Sequence, residues 1–382
     1  MPFDFDSATN RRQSDSRKWH KYTDQTVLPM WIADMDFVSP PAVMIALQER
    51  VEHGVFGYGS PMPSLVESLI AYTERRYGWK IDPAWIVWLP GLVTGLNIAA
   101  AAIGEPGDEV LCCTPVYPPF MSAPKNRQRQ LVTAAMASRD GRWEIDFAAL
   151  EAAVTPRTSQ FFLCSPHNPV GRVFDRVELE QLAAFCAKHK LVITSDEIHC
   201  DLILDDTPHV PMATVSADAA ARTITLMAPS KTYNIPGLGC SYAVIPDAAL
   251  RRQFESAAAG IMPDVNILGF VAAEACYRDG ADWHRDLLTY LRGNRDYLAD
   301  FVARELPGIT MARCEATYLA WLNVEALKLE KPTAFFEAHG IGFSDGAPFG
   351  AAPGSHVRLN FGCPRATLAE ACVRMKRALA AR

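Results

Sequence analysis

The sequence predicts an α/β protein: a large domain whose mostly parallel sheet is sandwiched by helices, followed by a smaller α+β domain. Three observations carry this. From about residue 60 to 245, helical patterns alternate with short β-rich runs, the order that builds βαβ units. Those runs are apolar and β-branched almost throughout, as strands buried on both faces are. Beyond residue 280 the pattern changes to a long helix, two strands and a closing helix. The 382 residues suffice for two domains. The expected division is an N-terminal arm (1–45) joining the small domain, a large domain (46–281) and a small C-terminal domain (282–382).

The elements follow in order. "SLVESLIAYTERRYGW" reads as a helix and "GLVTGLNIAAAAIG" as a buried one; "DEVLCCTP" reads as a strand, and "QFFLCSP" as a strand stopped by proline. "DRVELEQLAAFCAKHK" is a helix with Asp175 as N-cap and Glu178 three residues on, a relative of the capping box. "LVITSDEI" and "TITLMAP" are two more strands. The second part comprises the helix "DWHRDLLTYLRGNRDYLADFVARE", the strands "TYLAWLN" and "HVRLNFG", and the helix "ATLAEACVRMKRALAA".

Composition narrows the function. A formal net charge of −6 leaves no electrostatic footprint for nucleic acid or an anionic membrane. The most basic stretch, "RRQSDSRKWHK", mixes acidic and polar residues and is expected to be a solvated arm. The opening "MPFDFDSATNRRQ" is polar, and no apolar run reaches the ~18 residues of a membrane span. The ten cysteines form no C-x-x-C pair, and several sit in apolar segments, so buried free thiols are expected. These features point to a cytoplasmic protein without a metal site.

In an open α/β sheet, ligands bind beyond the carboxyl ends of the strands. Reading those positions gives one set: Tyr117 after "DEVLCCTP", Asn168 after "QFFLCSP", Asp196 and His199 at the end of "LVITSDEI", and Ser230 and Lys231 after "TITLMAP". Gly91 and Leu92 precede the buried helix. A lysine among apolar walls loses proton affinity and serves as a nucleophile or Schiff-base former. A buried aspartate pairs with a cationic ring nitrogen, as pyridoxal phosphate requires. An asparagine donates to a phenolate oxygen, an aromatic ring stacks on the cofactor face, and a helix start with a nearby serine offers donors to a phosphate. Taken singly, each residue has a plainer reading: a snorkelling lysine, a capping aspartate, an Asn-Pro turn, a core tyrosine. Their convergence on the ends of one sheet carries the argument.

The segments "SPHNPVGRVF", "TSDEIHCDL" and "PSKTYNIPGLG" resemble the central motifs of fold-type I pyridoxal-phosphate enzymes of the class I/II aminotransferase superfamily. More narrowly, "LPMWIADMDFVSPPAV", "FGYGSP", "CEATYLAWL" and "VRLNFGCPR" resemble the cystathionine β-lyase group of the MalY/PatB type, over essentially the whole chain. The resemblance implies Lys231 as the Schiff-base lysine, Asp196 as partner of the pyridine nitrogen and Asn168 as donor to the phenolate oxygen. It puts His199 where many aminotransferases have a tyrosine, and Tyr117 stacked on the ring. It implies that Gly91, Leu92 and Ser230 form the phosphate cradle. Tyr58 is implied to reach the phosphate of the other subunit, hence a homodimer with shared active sites, and Arg358 to clamp the substrate carboxylate. There are two departures. Many aminotransferases carry an arginine eight residues after the lysine, where this chain has Gly239, and Asp345 stands where a neutral residue is expected.

The implied reaction is β-elimination of L-cystathionine or a related cysteine S-conjugate to a thiol, pyruvate and ammonia, with Lys231 and Tyr117 as catalytic groups. Spacing alone leaves transamination of an amino acid open, since both start with removal of the α-proton. It does not choose Lys231 or Tyr117 as the acid that protonates the departing sulfur. A regulatory, protein-binding role is the remaining alternative.

Overall fold

The computed structural model describes residues 3–382. Seven strands form the large sheet: β1 (Ile86–Leu89), β2 (Glu109–Thr114), β3 (Gln130–Ala135), β4 (Thr158–Cys164), β5 (Val192–Asp196), β6 (Thr223–Met227) and β7 (Ser241–Val244). Their order across the sheet is β1-β7-β6-β5-β4-β2-β3. All neighbours from β6 to β3 are parallel, and β7 runs antiparallel to both β6 and β1. Strands β1, β3 and β7 have no counterpart in the sequence reading. β1 and β7 are four residues each, and β3 is an edge strand with only one of its six residues buried, so none presents the long apolar run that marks a central strand.

The period of two explains how the central strands are covered. Val110 and Cys112 of β2, with Phe162 and Cys164 of β4, pack on one face under the helices Leu92–Ala102, Pro119–Asn126 and Ala248–Ala258. Leu111, Cys113, Phe161 and Leu163 face the other side, against Leu179, Leu182 and Phe185 of the helix Arg176–Lys188. That helix starts at a reciprocal capping box between Asp175 and Glu178, satisfying two otherwise orphaned N–H groups. The ten cysteines are all free and buried.

The second body is a four-stranded antiparallel sheet. Its strands are β8 (Thr310–Met311), β9 (Leu319–Asn323), β10 (Ser344–Asp345) and β11 (His356–Asn360), in the order β8-β9-β11-β10. The helices Ala281–Glu305 and Arg365–Ala380 pack on it, in a core that also takes in Phe5, Met30, Met35 and Phe37 of the N-terminal segment. Leu28–Pro29 pairs in parallel with Ile341–Gly342. No helix among the described residues is long and apolar enough to cross a membrane.

The basic N-terminal stretch departs from the sequence reading, because part of it is buried. Lys18 is wholly inaccessible; its Nζ lies 2.7 Å from Asp36 Oδ2, while Arg11 Nη1 lies 2.7 Å from Oδ1 of the same carboxylate. Trp19 Nε1 donates to that oxygen as well. A charge so placed is tolerated only because it is paired and hydrogen-bonded. The cations hold the Asp36 carboxyl below its ordinary range even though burial pushes it up. Asp36→Ala is therefore expected to destabilise the fold by about 3–5 kcal/mol, read from denaturant unfolding. A depressed carboxyl contributes stability above its unfolded pKa of about 4 and loses it as pH falls through the folded value. The gap between wild type and variant should thus narrow as the pH drops below 4.

Candidate active site

The strand order places the predicted residues side by side. Reading across the adjacent strands β6, β5, β4 and β2, Lys231, Asp196, Asn168 and Tyr117 each lie at the carboxyl end or a few residues beyond it. Asp196, the last residue of β5, is 4 % exposed, and its Oδ1 accepts the Ile198 N–H at 3.1 Å. Its neighbours Ser195 and Glu197 point the other way. There Glu197 is held by Ser195 Oγ (2.8 Å), His209 Nε2 (2.8 Å) and the Met212 N–H (2.9 Å), which fixes the strand end. Burial pushes the Asp196 carboxyl up to about 7, and no cationic side chain forms an ion pair with it among the described residues.

Lys231 follows the fully buried β6. Its Nζ donates to the Ala33 carbonyl at 2.6 Å, a contact brought by the N-terminal segment. Burial pushes the amine down to about 8, Asp34 and Asp196 opposing and Arg358 assisting. That segment is anchored by Asn234, whose side chain accepts the Met35 N–H and donates to the Met35 and Phe37 carbonyls. It is anchored again by Asn360, which donates to the carbonyls of Ile32 and Asp34.

Arg358, on β11, is 5 % exposed and pairs with no carboxylate among the described residues. Its Nη1 donates to Asn168 Oδ1 at 2.9 Å and its Nη2 to the Trp31 carbonyl at 3.0 Å. Its guanidinium carbon lies 4.7 Å from the Phe349 ring centroid, and its Nε is buried with no partner. Burial pushes the group down to about 10. A buried cation that lacks an anion is costly unless a ligand supplies one. His199 is buried with Nδ1 unpartnered, and burial together with Lys231 and Arg358 pushes it down to about 3, so the ring is neutral. Tyr117 is half-buried against the cluster of Val170, Ala312, Trp321 and Phe349, and burial raises its phenol.

Gly91 caps the helix Leu92–Ala102, which has no side-chain cap, so its first-turn N–H groups remain available. A Cβ at Gly91 would project into open space. Ser230, beside Lys231, is half-buried, and its hydroxyl is free of hydrogen bonds among the described residues. At Gly239, the position of the first departure, φ is +61° and a Cβ would stand 3.2 Å from the Pro90 carbonyl. The backbone there favours glycine. Tyr58 is not brought to this cluster: it is fully exposed, bordering a hollow lined by Phe56, Gly57, Gly59 and Asp264–Leu268. Asp345 is exposed and accepts the Ala347 N–H; its neighbour Ser344 pairs with Arg358 across the strands. The sequence reading missed the backbone carbonyls of Trp31 and Ala33, the ring of Phe349 and the hydroxyl of Tyr318, which donates to Ala33 O at 3.1 Å. The motif "WIADMDF" holds the two carbonyls, "CEATYLAWL" holds Tyr318, and the stretch "GFSDGAPFG" holds Phe349.

The chain belongs to the class I and II aminotransferase family, whose model matches residues 14–375. Among curated proteins it is 37 % identical to cystathionine β-lyase PatB of Bacillus subtilis, over 98 % of this chain and 99 % of that one. Among solved structures, OvoB superposes with a TM-score of 0.97 at 48 % identity, covering 100 % of both chains. Cystalysin from Treponema denticola, whose structure contains a pyridoxal 5'-phosphate cofactor, superposes with a TM-score of 0.95 at 32 % identity, again over 100 % of both.

Proposed function

We propose that this protein is a pyridoxal-phosphate-dependent carbon–sulfur β-lyase that cleaves L-cystathionine or a related cysteine S-conjugate to a thiol (homocysteine, from cystathionine), pyruvate and ammonia. The observation that carries it is the buried, carboxylate-free Arg358, tied through Asn168 to the row that holds Asp196 and Lys231. The curated relative named above supports elimination over amino transfer.

The residues present fit the cofactor. Asp196 offers a buried carboxylate without a counter-ion, which suits a protonated pyridine nitrogen. Asn168 would donate to the ring oxygen, Tyr117 would stack on the ring face, and the neutral His199 would border the ring. The open space before Gly91, the N–H groups from Leu92 onward and the Ser230 hydroxyl suit the phosphate. When bound, the cofactor supplies an electron sink for the charge that develops at the substrate's α-carbon.

The remaining work falls to side chains. Arg358 receives the substrate carboxylate, with Asn168 and the Trp31 carbonyl fixing the guanidinium plane. Lys231, pushed down to about 8, is partly neutral at physiological pH and removes the α-proton. The C–S bond then breaks; a thiol of pKa ~8.5 is a far better leaving group than an alcohol. Tyr117, whose raised phenol keeps its proton, and the newly protonated Lys231 are the two candidate donors to the departing sulfur.

The test uses purified, pyridoxal-phosphate-loaded protein with L-cystathionine and no keto acid. Pyruvate and free thiol in equal amounts over many turnovers are expected. Amino transfer appearing only after a keto acid is added would replace this reading with an aminotransferase. A protein that binds the cofactor and does neither would point to a regulatory role.

The proposal includes a homodimer with shared sites and a cytoplasmic location, with the arm 1–45 and the body 282–382 acting as one small domain against 46–281. The dimer is supported by a run of exposed apolar side chains, Ile45, Val51, Val55, Phe56, Tyr58 and Met62, on and after the helix Pro41–Glu52. Sedimentation should give twice the chain mass. Phe56→Glu should yield monomers that lose cofactor affinity, and a fully active monomer would contradict the shared site.

A further inference from the structure

The Ala33 carbonyl accepts two hydrogen bonds, from Lys231 Nζ at 2.6 Å and from the Tyr318 hydroxyl at 3.1 Å. Tyr318 is fully buried and held by design of the chain around it. It follows Thr317, a buried β-branched residue at φ +74°, a conformation that such side chains rarely adopt. Local bonds maintain it: the Thr317 N–H donates to the Leu202 carbonyl, and its hydroxyl accepts the Leu319 N–H at 3.1 Å. The ring then stands edge-on to His199, 6.3 Å between centroids. Gly362 leaves room for it, since a Cβ there would lie 3.2 Å from Tyr318 Cδ2. Strained backbone kept in place by its surroundings marks positions where the geometry serves function.

We propose that Tyr318 is a positioning residue for Lys231: its hydroxyl occupies one lone pair of the carbonyl that receives the lysine amine, and so weakens that carbonyl's hold on the protonated form. A carbonyl oxygen has two lone pairs. With one taken by a neutral donor whose hydrogen points toward the same oxygen, the ammonium gains less there than it would alone. The phenol remains a donor at all relevant pH values, because burial raises it strongly. The other groups facing the amine are Asp34 from the N-terminal segment, Asp196 and His199 from the end of β5, and Arg358 from β11. None of them shares the Ala33 oxygen. The inference rests on the reading of Lys231 as the base, and its test is independent of turnover.

The test is trace acetylation of cofactor-free protein with acetic anhydride across a pH series, quantified at Lys231 by peptide mass spectrometry. The labelling rate follows the neutral amine. In Tyr318→Phe the midpoint should rise by about one unit, a tenfold loss of neutral amine below it. With 3-fluorotyrosine at 318, a stronger donor of similar size, the midpoint should fall. This second substitution keeps the test decisive if Tyr318→Phe does not fold. A midpoint that stays put or moves the opposite way in either folded variant overturns the proposal. A shifted midpoint in a protein that releases no pyruvate from cystathionine would leave it standing while sinking the lyase reading.

Discussion

Replacing Lys231 by alanine should lower pyruvate formation from L-cystathionine by about 10²–10⁴-fold, the range a positioned general base contributes. The loss should be at the larger end, because the same amine is the proposed attachment point of the cofactor. Little structural damage is expected: Lys231 lies at a strand end and makes a single side-chain hydrogen bond, to Ala33 O. The check is a kinetic one with chemical rescue. Small primary amines added to the variant should restore part of the rate, and more so at higher pH, where they are neutral. A variant with ordinary turnover would show that another group takes the α-proton.

The second large effect is expected at Arg358. Arg358→Leu removes the buried cation that meets the substrate carboxylate, and truncating one partner of such a pair costs about 2–5 kcal/mol, or about 30- to 5,000-fold in kcat/KM. It also frees Asn168 Oδ1 and the Trp31 carbonyl, both of which accept from the guanidinium. Arg358→Lys should recover little, since an ammonium cannot present the planar fork that bonds Asn168 on one side and a carboxylate on the other. Cofactor affinity should change far less than kcat/KM, which equilibrium dialysis would establish. Equal losses in both would indicate that Arg358 serves the fold or the cofactor instead of the substrate.

Much of this site was legible in the sequence because buried parallel strands advertise themselves. Four apolar and β-branched runs located β2, β4, β5 and β6, and the polar residue at or after the end of each run fell into one row once those strands proved adjacent. What sequence could not give was anything contributed by backbone. The carbonyls of Trp31 and Ala33 reach Arg358 and Lys231 through a segment some 200 residues or more away, and no side-chain pattern marks a carbonyl. Lys18 illustrates the same limit in reverse. Within "RRQSDSRKWHK" it looks solvated, and only Asp34 and Asp36, brought alongside by the fold, make its burial tolerable. Tyr318 was hidden in a segment that reads simply as a strand; the left-handed turn at Thr317 that aims it has no signature in a β-branched residue. By contrast, the departure at Gly239 was visible in the sequence, and the structure gives that position a positive φ and a close approach to the Pro90 carbonyl.

The central claim is that these strand-end residues form one cofactor site around the Lys231 amine. It is tested most directly by reducing the pyridoxal-phosphate-loaded protein with borohydride and mapping the modified peptide by mass spectrometry. The account predicts a single phosphopyridoxyl group on Lys231, in the peptide that carries "SKTYN". A modification on any other lysine, or none at all in protein that turns over cystathionine, would contradict it.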